Sequence, residues 1–196
     1  TLTLGADSPD AMAKAALAID PEAPVKVKLT GDLAEDIARV VAIRTARPDA
    51  WIGVDANQGY SIETLAELLP VLVDARVAQL EQPLRRGSEA DLDGLKRPLP
   101  FVADESALSL ADTVSLVGRF DVVNIKLDKC GGLTEGLAIA RQAKTLGLDV
   151  MVGNMMGTSL SMAPSYLVGQ LCDIVDLDGP TFLARDREPG VEYRGG

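Results

Sequence analysis

Trp51-Ile52-Gly53-Val54-Asp55-Ala56-Asn57 decides how the rest of the chain is read. An apolar run that follows Pro48 and delivers Asp55 and Asn57 to one side reads as a strand of a parallel sheet, covered on both faces. A carboxylate at the end of such a strand is costly to bury unless it is paired or bound to a metal. Asp55 therefore calls for partners, and they emerge when the same reading is carried along the chain. Lys28 closes Val25-Lys26-Val27, Glu81 closes Val77-Ala78-Gln79-Leu80, Asp104 closes Phe101-Val102-Ala103, Lys126 closes Val122-Val123-Asn124-Ile125, and Asp178 falls near the end. From 28 to 55, 55 to 81, 81 to 104 and 104 to 126 the steps are 27, 26, 23 and 22 residues, each room for a strand, a helix and two loops. Alternation this regular predicts successive right-handed βαβ units closed into a parallel barrel. Functional groups then belong at the C-terminal strand ends, where these residues fall.

At 196 residues the chain is one domain by length, though short of the about 250 residues typical of a complete eight-stranded barrel. Hydrophobic residues make up 47% and aromatics 4%, so the core is to be built from Val, Leu, Ile and Ala. A net charge of −10 and a pI near 4.5 argue against nucleic acid and anionic membranes as partners, and for small ligands or cations. Cys130 and Cys172 stand without CxxC spacing, and no apolar run approaches the roughly 20 residues of a membrane span. A reduced, cytoplasmic protein is expected. The chain opens on Thr1 rather than Met, so the lack of a visible signal peptide carries little weight. With no histidine, Ser-His triads, His-ligated zinc and His general bases are excluded within this chain.

Ser8-Pro9-Asp10 supplies an N-cap and a proline at the first turn for a helix over 11–19. Val25, Val27 and Leu29 alternate with Lys26 and Lys28, which puts both amines on one face with Cα atoms about 6.6 Å apart. A second helix runs from about Asp32 to before Pro48 with Leu33, Ile37, Val40 and Val41 as its core stripe, and Ser61 caps a third carrying Leu65, Leu68, Leu69 and Leu72. There follow a strand over 77–83, a short helix over 89–95, a strand over 101–105, a helix over 110–117 and a strand over 122–129. Gly131-Gly132 opens a loop into a helix over 133–146 closed by Gly147. With the alternating, strand-like stretch 1–5 as the first, a strand over 150–155, a helix over 161–171 and a last strand over 174–178, ended by Pro180, complete eight strands and seven helices. The barrel takes 1–180 and a polar tail 181–196.

Asp55, Glu81 and Asp104 end consecutive strands. Three acids crowded together repel one another unless a hard divalent cation sits among them, and Mg²⁺ suits three oxygen ligands plus water and substrate. Lys28 precedes this trio by one strand and Lys126 follows it, so the two amines are expected to flank the metal from opposite sides. An α-proton beside a carboxylate is very weakly acidic. Its removal becomes feasible when the second negative charge of the enolate is neutralised as it forms, which Mg²⁺ and Lys26 would do. With one lysine on each face of the carbon, removal by one and return by the other inverts the centre.

Val25-Lys26-Val27-Lys28, Asp55-Ala56-Asn57-Gln58-Gly59, Glu81-Gln82-Pro83, Asp104-Glu105-Ser106 and Asn124-Ile125-Lys126 resemble, in order, the lysine strand, metal ligands and second lysine of the enolase superfamily, muconate lactonizing subgroup. Within it, the 126–132 stretch KLDKCGG, Met151-Val152-Gly153-Asn154-Met155 and above all Asp176-Leu177-Asp178-Gly179-Pro180 are similar to the dipeptide epimerases that invert the second residue of L-Ala-L-Glu. The resemblance implies a (β/α)7β TIM-like barrel and a Mg²⁺-dependent isomerase. Lys28 and Lys126 would be its acid/base pair, Lys26 the residue that steadies carboxylate and enolate, and Asp55, Glu81 and Asp104 the Mg²⁺ ligands. Asp176 and Asp178 would hold the free ammonium of the dipeptide, Asn154 and Met156 would line the substrate pocket, and Thr1 is a further candidate there. Family members carry an N-terminal α+β capping domain, whereas this sequence starts on the first barrel strand. Met156-Gly157-Thr158 stands where muconate lactonizing relatives often have Glu, which disfavours their reaction. An N-acylamino acid racemase or o-succinylbenzoate synthase of the same subgroup remains an alternative, as does a silent barrel that binds Mg²⁺ without turnover. A homo-oligomer is compatible with either.

Taken singly, each acid reads as a solvated loop residue, and it is their ordered spacing that favours a site. Lys26 and Lys28 alone would suit an edge strand, but a barrel strand has no free edge. Asp176 and Asp178 would, without the resemblance, simply accept from backbone amides at the rim. Without the resemblance, Cys130, Cys172, Met151, Met155 and Met156 read as packing residues, and a lone Gly131-Gly132 is weak evidence for a phosphate cradle.

Overall fold

Ile52–Asp55 is a strand, β3, buried along its whole length. In the computed structural model, which describes residues 1–193, it is one of eight parallel strands. They run β1 (Leu2–Leu4), β2 (Val25–Lys28), β3, β4 (Gln79–Glu81), β5 (Phe101–Ala103), β6 (Val122–Ile125), β7 (Asp149–Val152) and β8 (Ile174–Val175), and their order in the sheet is their order in the chain. The helices are α1 (Pro9–Ala18), α2 (Leu33–Ala46), α3 (Ile62–Asp74), α4 (Thr113–Leu116), α5 (Leu127–Cys130), α6 (Leu133–Thr145) and α7 (Ser159–Gly169). Parallel strands in sequential order, alternating with helices, are the (β/α) barrel architecture that the spacing predicts. Two compact units divide the chain, one of Thr1–Phe101 and one that begins at Val102.

In the first unit, register fixes which side chains share a face. Lys26 pairs with Gly53 and Gly53 with Gln79, while Lys28 pairs with Asp55 and Asp55 with Glu81. Side chains alternate along a strand, so all six residues project from one face of the sheet. Val25, Val27, Ile52, Val54 and Leu80 project from the other and are buried, as are Met12 and Ala16 of α1 and Leu65, Leu68, Leu69 and Leu72 of α3. The helix starts follow local chemistry. Ser8 Oγ accepts from Ala11 N at 3.4 Å, Asp32 Oδ1 from Glu35 N at 3.1 Å, and Ser61 and Thr64 form a reciprocal capping box.

The stripe of α2 differs from the predicted one. Val41 is 49% exposed, and Leu33 and Ile37 are only half-buried; the inward line is Asp36, Val40, Ile43 and Arg47. Polar demand at the two ends of the helix sets this rotation. Asp36 accepts from Thr30 N at 3.0 Å, Gly31 N at 2.8 Å, Tyr60 Oη at 2.6 Å and Arg39 Nη1 at 2.6 Å. It thereby satisfies backbone groups of the loop that follows β2 and fastens the loop that follows β3. At the other end Arg47 donates to the carbonyls of Ala16, Asp20, Pro21 and Ala23, closing the connection from α1 to β2. The loops after β2 and β3 also meet backbone to backbone. A Cβ on Gly31, whose φ is +87°, would lie 2.5 Å from Gly59 O, and one on Gly59 would lie 2.9 Å from Gly31 Cα.

In the second unit Val102 pairs with Val122, Val122 with Asp149, Asn124 with Met151 and Met151 with Ile174. Val102, Val122 and Met151 form a buried cluster against which Ile174 packs. By the same alternation Asn124 shares that face, and the next positions along β5, β6 and β8 on it are Asp104, Lys126 and Asp176. Val123, Ile125, Val150 and Val152 face the other way and are buried, as are Ile139, Ala140 and Ala143 of α6 and Met162 and Val168 of α7.

Several predicted elements are shorter or differently wound. The helix expected over 89–95 is a 3-10 turn, Glu89–Leu92, and that over 110–117 splits into a 3-10 turn, Leu110–Asp112, and α4. The strand expected over 122–129 stops at Ile125 and winds into the single turn α5, ended by Gly131 at φ +87°. The last strand stops at Val175, and Pro180 lies inside a 3-10 turn, Gly179–Phe182. In β6 and β8 the candidate residues Lys126, Asp176 and Asp178 follow the last paired residue of the strand. Of the tail expected over 181–196, residues 194–196 lie outside the described residues. The rest returns to α7, where Ser159 N donates to Asp186 Oδ1 at 2.9 Å and Val191 N to Ser159 Oγ at 2.9 Å.

Candidate functional site

In the first unit the sequence-derived residues Lys26, Lys28, Asp55 and Glu81 are brought together. Asp55, fully buried, receives Lys28 Nζ on Oδ2 at 2.6 Å and Asn57 N on Oδ1 at 2.9 Å. Asn57 thus serves through its backbone, its side chain being exposed, and the turn that brings its N–H back to Asp55 takes Asn57 and Gln58 to φ +44° and +64°. Lys26 Nζ lies 2.7 Å from Glu81 Oε2 and 3.5 Å from Asp55 Oδ2. Both carboxylates are wholly out of solvent, whereas the Lys28 side chain is 31% exposed. Of the two amines, Lys28 is the more exposed; the Lys26 side chain is 4% exposed.

In the second unit Asp104 and Lys126 come together, joined by a lysine that sequence reading missed. Lys126 Nζ donates to Asp104 Oδ2 at 2.6 Å, and Lys129 Nζ donates to Asp104 Oδ1 and, at 2.5 Å, to its carbonyl. Burial alone would push the Asp104 carboxyl up. The ammoniums of Lys129 and Lys126 overcome it and hold the group well below the usual carboxylate range. Gly153 provides room for this arrangement, since a Cβ there would lie 2.7 Å from Asn124 Oδ1 and 3.1 Å from Lys126 Cε.

Asp176 and Asp178 are each 4% exposed. Asn154, half-buried, donates through Nδ2 to the Asp176 carbonyl at 2.5 Å, and Gly179 leaves it space. Met156 is 71% exposed, and Thr1 is half-buried at the lead of β1. Cys130 and Cys172 are free thiols, and burial pushes Cys172 up to about 12, which suits packing rather than nucleophilic chemistry.

One group of acidic side chains among the described residues is fit to hold a metal ion: Asp55, Glu81 and Asp104. All three are buried, and each offers one carboxylate oxygen within 4.8 Å of the others. Three hard anionic oxygens match Mg²⁺ or a similar cation, not a soft metal. Among the described residues no helix is long and apolar enough to cross a membrane.

Comparison with known proteins extends these observations. Residues 11–176 match the family described as Enolase C-terminal domain-like. The chain is 42% identical to an N-acetyl-D-glutamate racemase of Pseudoalteromonas sp. over 99% of its own length and 61% of that protein's. It is also 42% identical to the L-Ala-D/L-Glu epimerase of Escherichia coli K12, over 100% of this chain and 60% of the relative. Among solved structures, an enolase family member from Agrobacterium tumefaciens, described as homologous to dipeptide epimerases and holding sodium and L-Ala-L-Glu, superposes with a TM-score of 0.93 at 41% identity, covering 99% of this chain and 59% of that one. A dipeptide epimerase from Enterococcus faecalis, complexed with Mg and L-Leu-L-Tyr, gives 0.88 at 32% identity, over 94% of this chain and 55% of that one. The chain spans about three fifths of the length of the curated relatives it matches. With sequential parallel strands, a buried acidic trio and a match over most of its residues, the chain belongs to the Enolase C-terminal domain-like family.

Proposed function

We propose that the protein is a Mg²⁺-dependent isomerase that inverts the α-carbon of the second residue in a dipeptide such as L-Ala-L-Glu. The observation that carries this reading is that every carboxylate of the candidate metal group is matched to a lysine amine: Asp55 and Asp104 accept hydrogen bonds from Lys28 and Lys126, and Glu81 forms an ion pair with Lys26. Acids that gather a cation beside amines that exchange protons are the two parts an α-proton transfer needs. In this reading Asp55, Glu81 and Asp104 hold the metal, which when bound supplies positive charge beside the substrate carboxylate.

Lys28, as the neutral amine, takes the α-proton; the C–H electron pair passes into the enolate, and Lys126, as the ammonium, returns a proton to carbon from the other face. The reverse direction exchanges their roles. Lys26 places a further positive charge beside the substrate carboxylate and steadies the enolate as it forms. Asp176 and Asp178 take the free ammonium of the dipeptide, with Asn154, Met156 and Thr1 completing the substrate surface. The catalytic barrel is assigned to 1–180 with the tail at 181–196, and the free thiols of Cys130 and Cys172 support a reduced, cytoplasmic setting.

A second reading, racemisation of an N-acylamino acid, is favoured by the 42% identity to the N-acetyl-D-glutamate racemase. Such substrates lack an ammonium, so Asp178→Ala spares them and cripples a dipeptide epimerase. The test follows α-proton exchange into L-Ala-L-Glu and N-acetyl-glutamate in D₂O by the full-length protein, with Mg²⁺ and after chelation. Exchange confined to the dipeptide and to Mg²⁺ is expected; exchange into neither substrate while metal is bound would make this a silent binding module. Lys126→Ala is expected to abolish epimerisation while leaving exchange on one enantiomer through Lys28. Equal residual epimerisation would contradict the two-lysine scheme.

A further inference from the structure

Three successive backbone carbonyls around the proposed ammonium-binding pair are each held from a side chain. The Asp176 carbonyl accepts from Asn154 Nδ2 at 2.5 Å, the Leu177 carbonyl from Tyr193 Oη at 2.5 Å, and the Asp178 carbonyl from Thr181 Oγ1 at 2.7 Å. This segment lies beyond the two paired residues of β8, so the sheet ladder gives it little further support after Asp176 N, which donates to Val152 O at 2.9 Å. Asn154 and Thr181 come from the neighbouring loop and the next turn. Tyr193 comes from the far end of the described chain.

That end is itself fastened. Asp186 accepts from Ser159 N and from Ser159 Oγ at the start of α7, Arg187 N donates to Asp186 Oδ1 at 2.7 Å, and Val191 N returns to Ser159 Oγ at 2.9 Å. A strap over 183–193 thus crosses the N-terminal turn of α7 and ends with a phenol on the peptide linking Asp176 to Asp178. The Tyr193 hydroxyl is held in its protonated, donating form, pushed up first by burial, then by Tyr166, Asp178 and Asp186.

The geometry points to Tyr193 as a positioning residue that sets the spacing of the Asp176 and Asp178 carboxylates, and so the preference of the site for substrates with a free amino group. The inference rests on the reading of that aspartate pair as the ammonium site. Tyr193 touches no substrate; it acts through the Leu177 peptide. Losing one directed hydrogen bond leaves the fold intact but lets the Asp176–Asp178 backbone shift, which weakens the hold on an ammonium and leaves proton transfer alone.

The test uses the full-length protein and Tyr193→Phe, which keeps the ring and removes the hydroxyl with its bonds to the Leu177 carbonyl and Tyr166. The expected result is a rise of about tenfold in KM for L-Ala-L-Glu, a hydrogen bond's worth of positioning, with kcat within about twofold and no change in the inhibition constant of N-acetyl-glutamate, used as a competitor that lacks the ammonium. A dipeptide KM that is unchanged, or that rises by the same factor as the inhibition constant of N-acetyl-glutamate, overturns the inference. If Tyr193→Phe fails to fold, Ser159→Ala loosens the strap at its other end; it should raise the dipeptide KM selectively, and a folded Ser159→Ala with an unaltered dipeptide KM overturns the inference equally. Wild-type protein that fails to act on L-Ala-L-Glu defeats the ammonium reading and the inference together. Wild-type activity with an unaltered Tyr193→Phe KM defeats the inference alone.

Discussion

Gly153 carries no functional group, yet its hydrogen is the space into which the Lys126 stem and the Asn124 amide fit. Gly153→Ala forces a Cβ to 3.1 Å from Lys126 Cε and 2.7 Å from Asn124 Oδ1, and one of them must shift. Displacing a proton-transfer group by a fraction of an ångström to an ångström costs on the order of tenfold to a hundredfold in rate. We expect kcat for exchange to fall by about that factor with the dipeptide KM nearly unchanged; unaltered kcat would show that the Lys126 stem has another place to go. The candidate residues differ in how legible they were. Asp55, Glu81, Asp104, Lys28 and Lys126 announced themselves as charges closing apolar runs at steps of 22 to 27 residues. Lys129 did not, because a strand carried through 129 would point it away from Lys126, whereas the turn of α5 brings positions three apart to the same side. Two lysines three residues apart just before Gly131-Gly132 were the available signal.

At the scale of the element, α2 shows what periodicity reads and what it misses. Its existence, its Asp32 cap and the inward place of Val40 were legible from the spacing of apolar residues. Its rotation was not, because two backbone loops, rather than apolar area, decide which side faces in. Asp36 is fully buried and meets two backbone N–H groups, a threonine hydroxyl, the Tyr60 phenol and Arg39. Asp36→Ala leaves those donors and the Arg39 charge without their acceptor, and we expect a loss of about 3 kcal/mol or more in unfolding free energy by denaturant titration. A loss below about 1 kcal/mol would mean that water replaces the carboxylate. By contrast α3 matched its predicted stripe residue for residue, since Leu65, Leu68, Leu69 and Leu72 are all buried and nothing polar competes for that face.

For the molecule as a whole, strand order was legible because each βα unit consumes nearly the same length of chain, so charged strand ends recur at a steady step. The strand ends themselves were overrun by two to four residues. Hydrophobic runs continue past the last ladder hydrogen bond to place Asp178 and to wind α5, and an apolar pattern does not report where pairing stops. The buried acidic trio gives a global readout as well. A cation that binds the folded state alone stabilises it by about 2.7 kcal/mol at a hundredfold excess over Kd. For a domain of this size that is a rise in Tm of about 5–10 °C. The rise should be reversed by chelation and absent in Asp55→Asn; a Tm indifferent to Mg²⁺ would argue that the lysines alone neutralise the trio. Finally, Gly31 and Gly59 meet with no atoms to spare, so the loops after β2 and β3 behave as a single inherited part. Anyone grafting one of them from a distant relative to alter substrate choice must transplant the other with it, and chimaeras that split the pair should be recovered far less often as soluble protein than chimaeras that keep it.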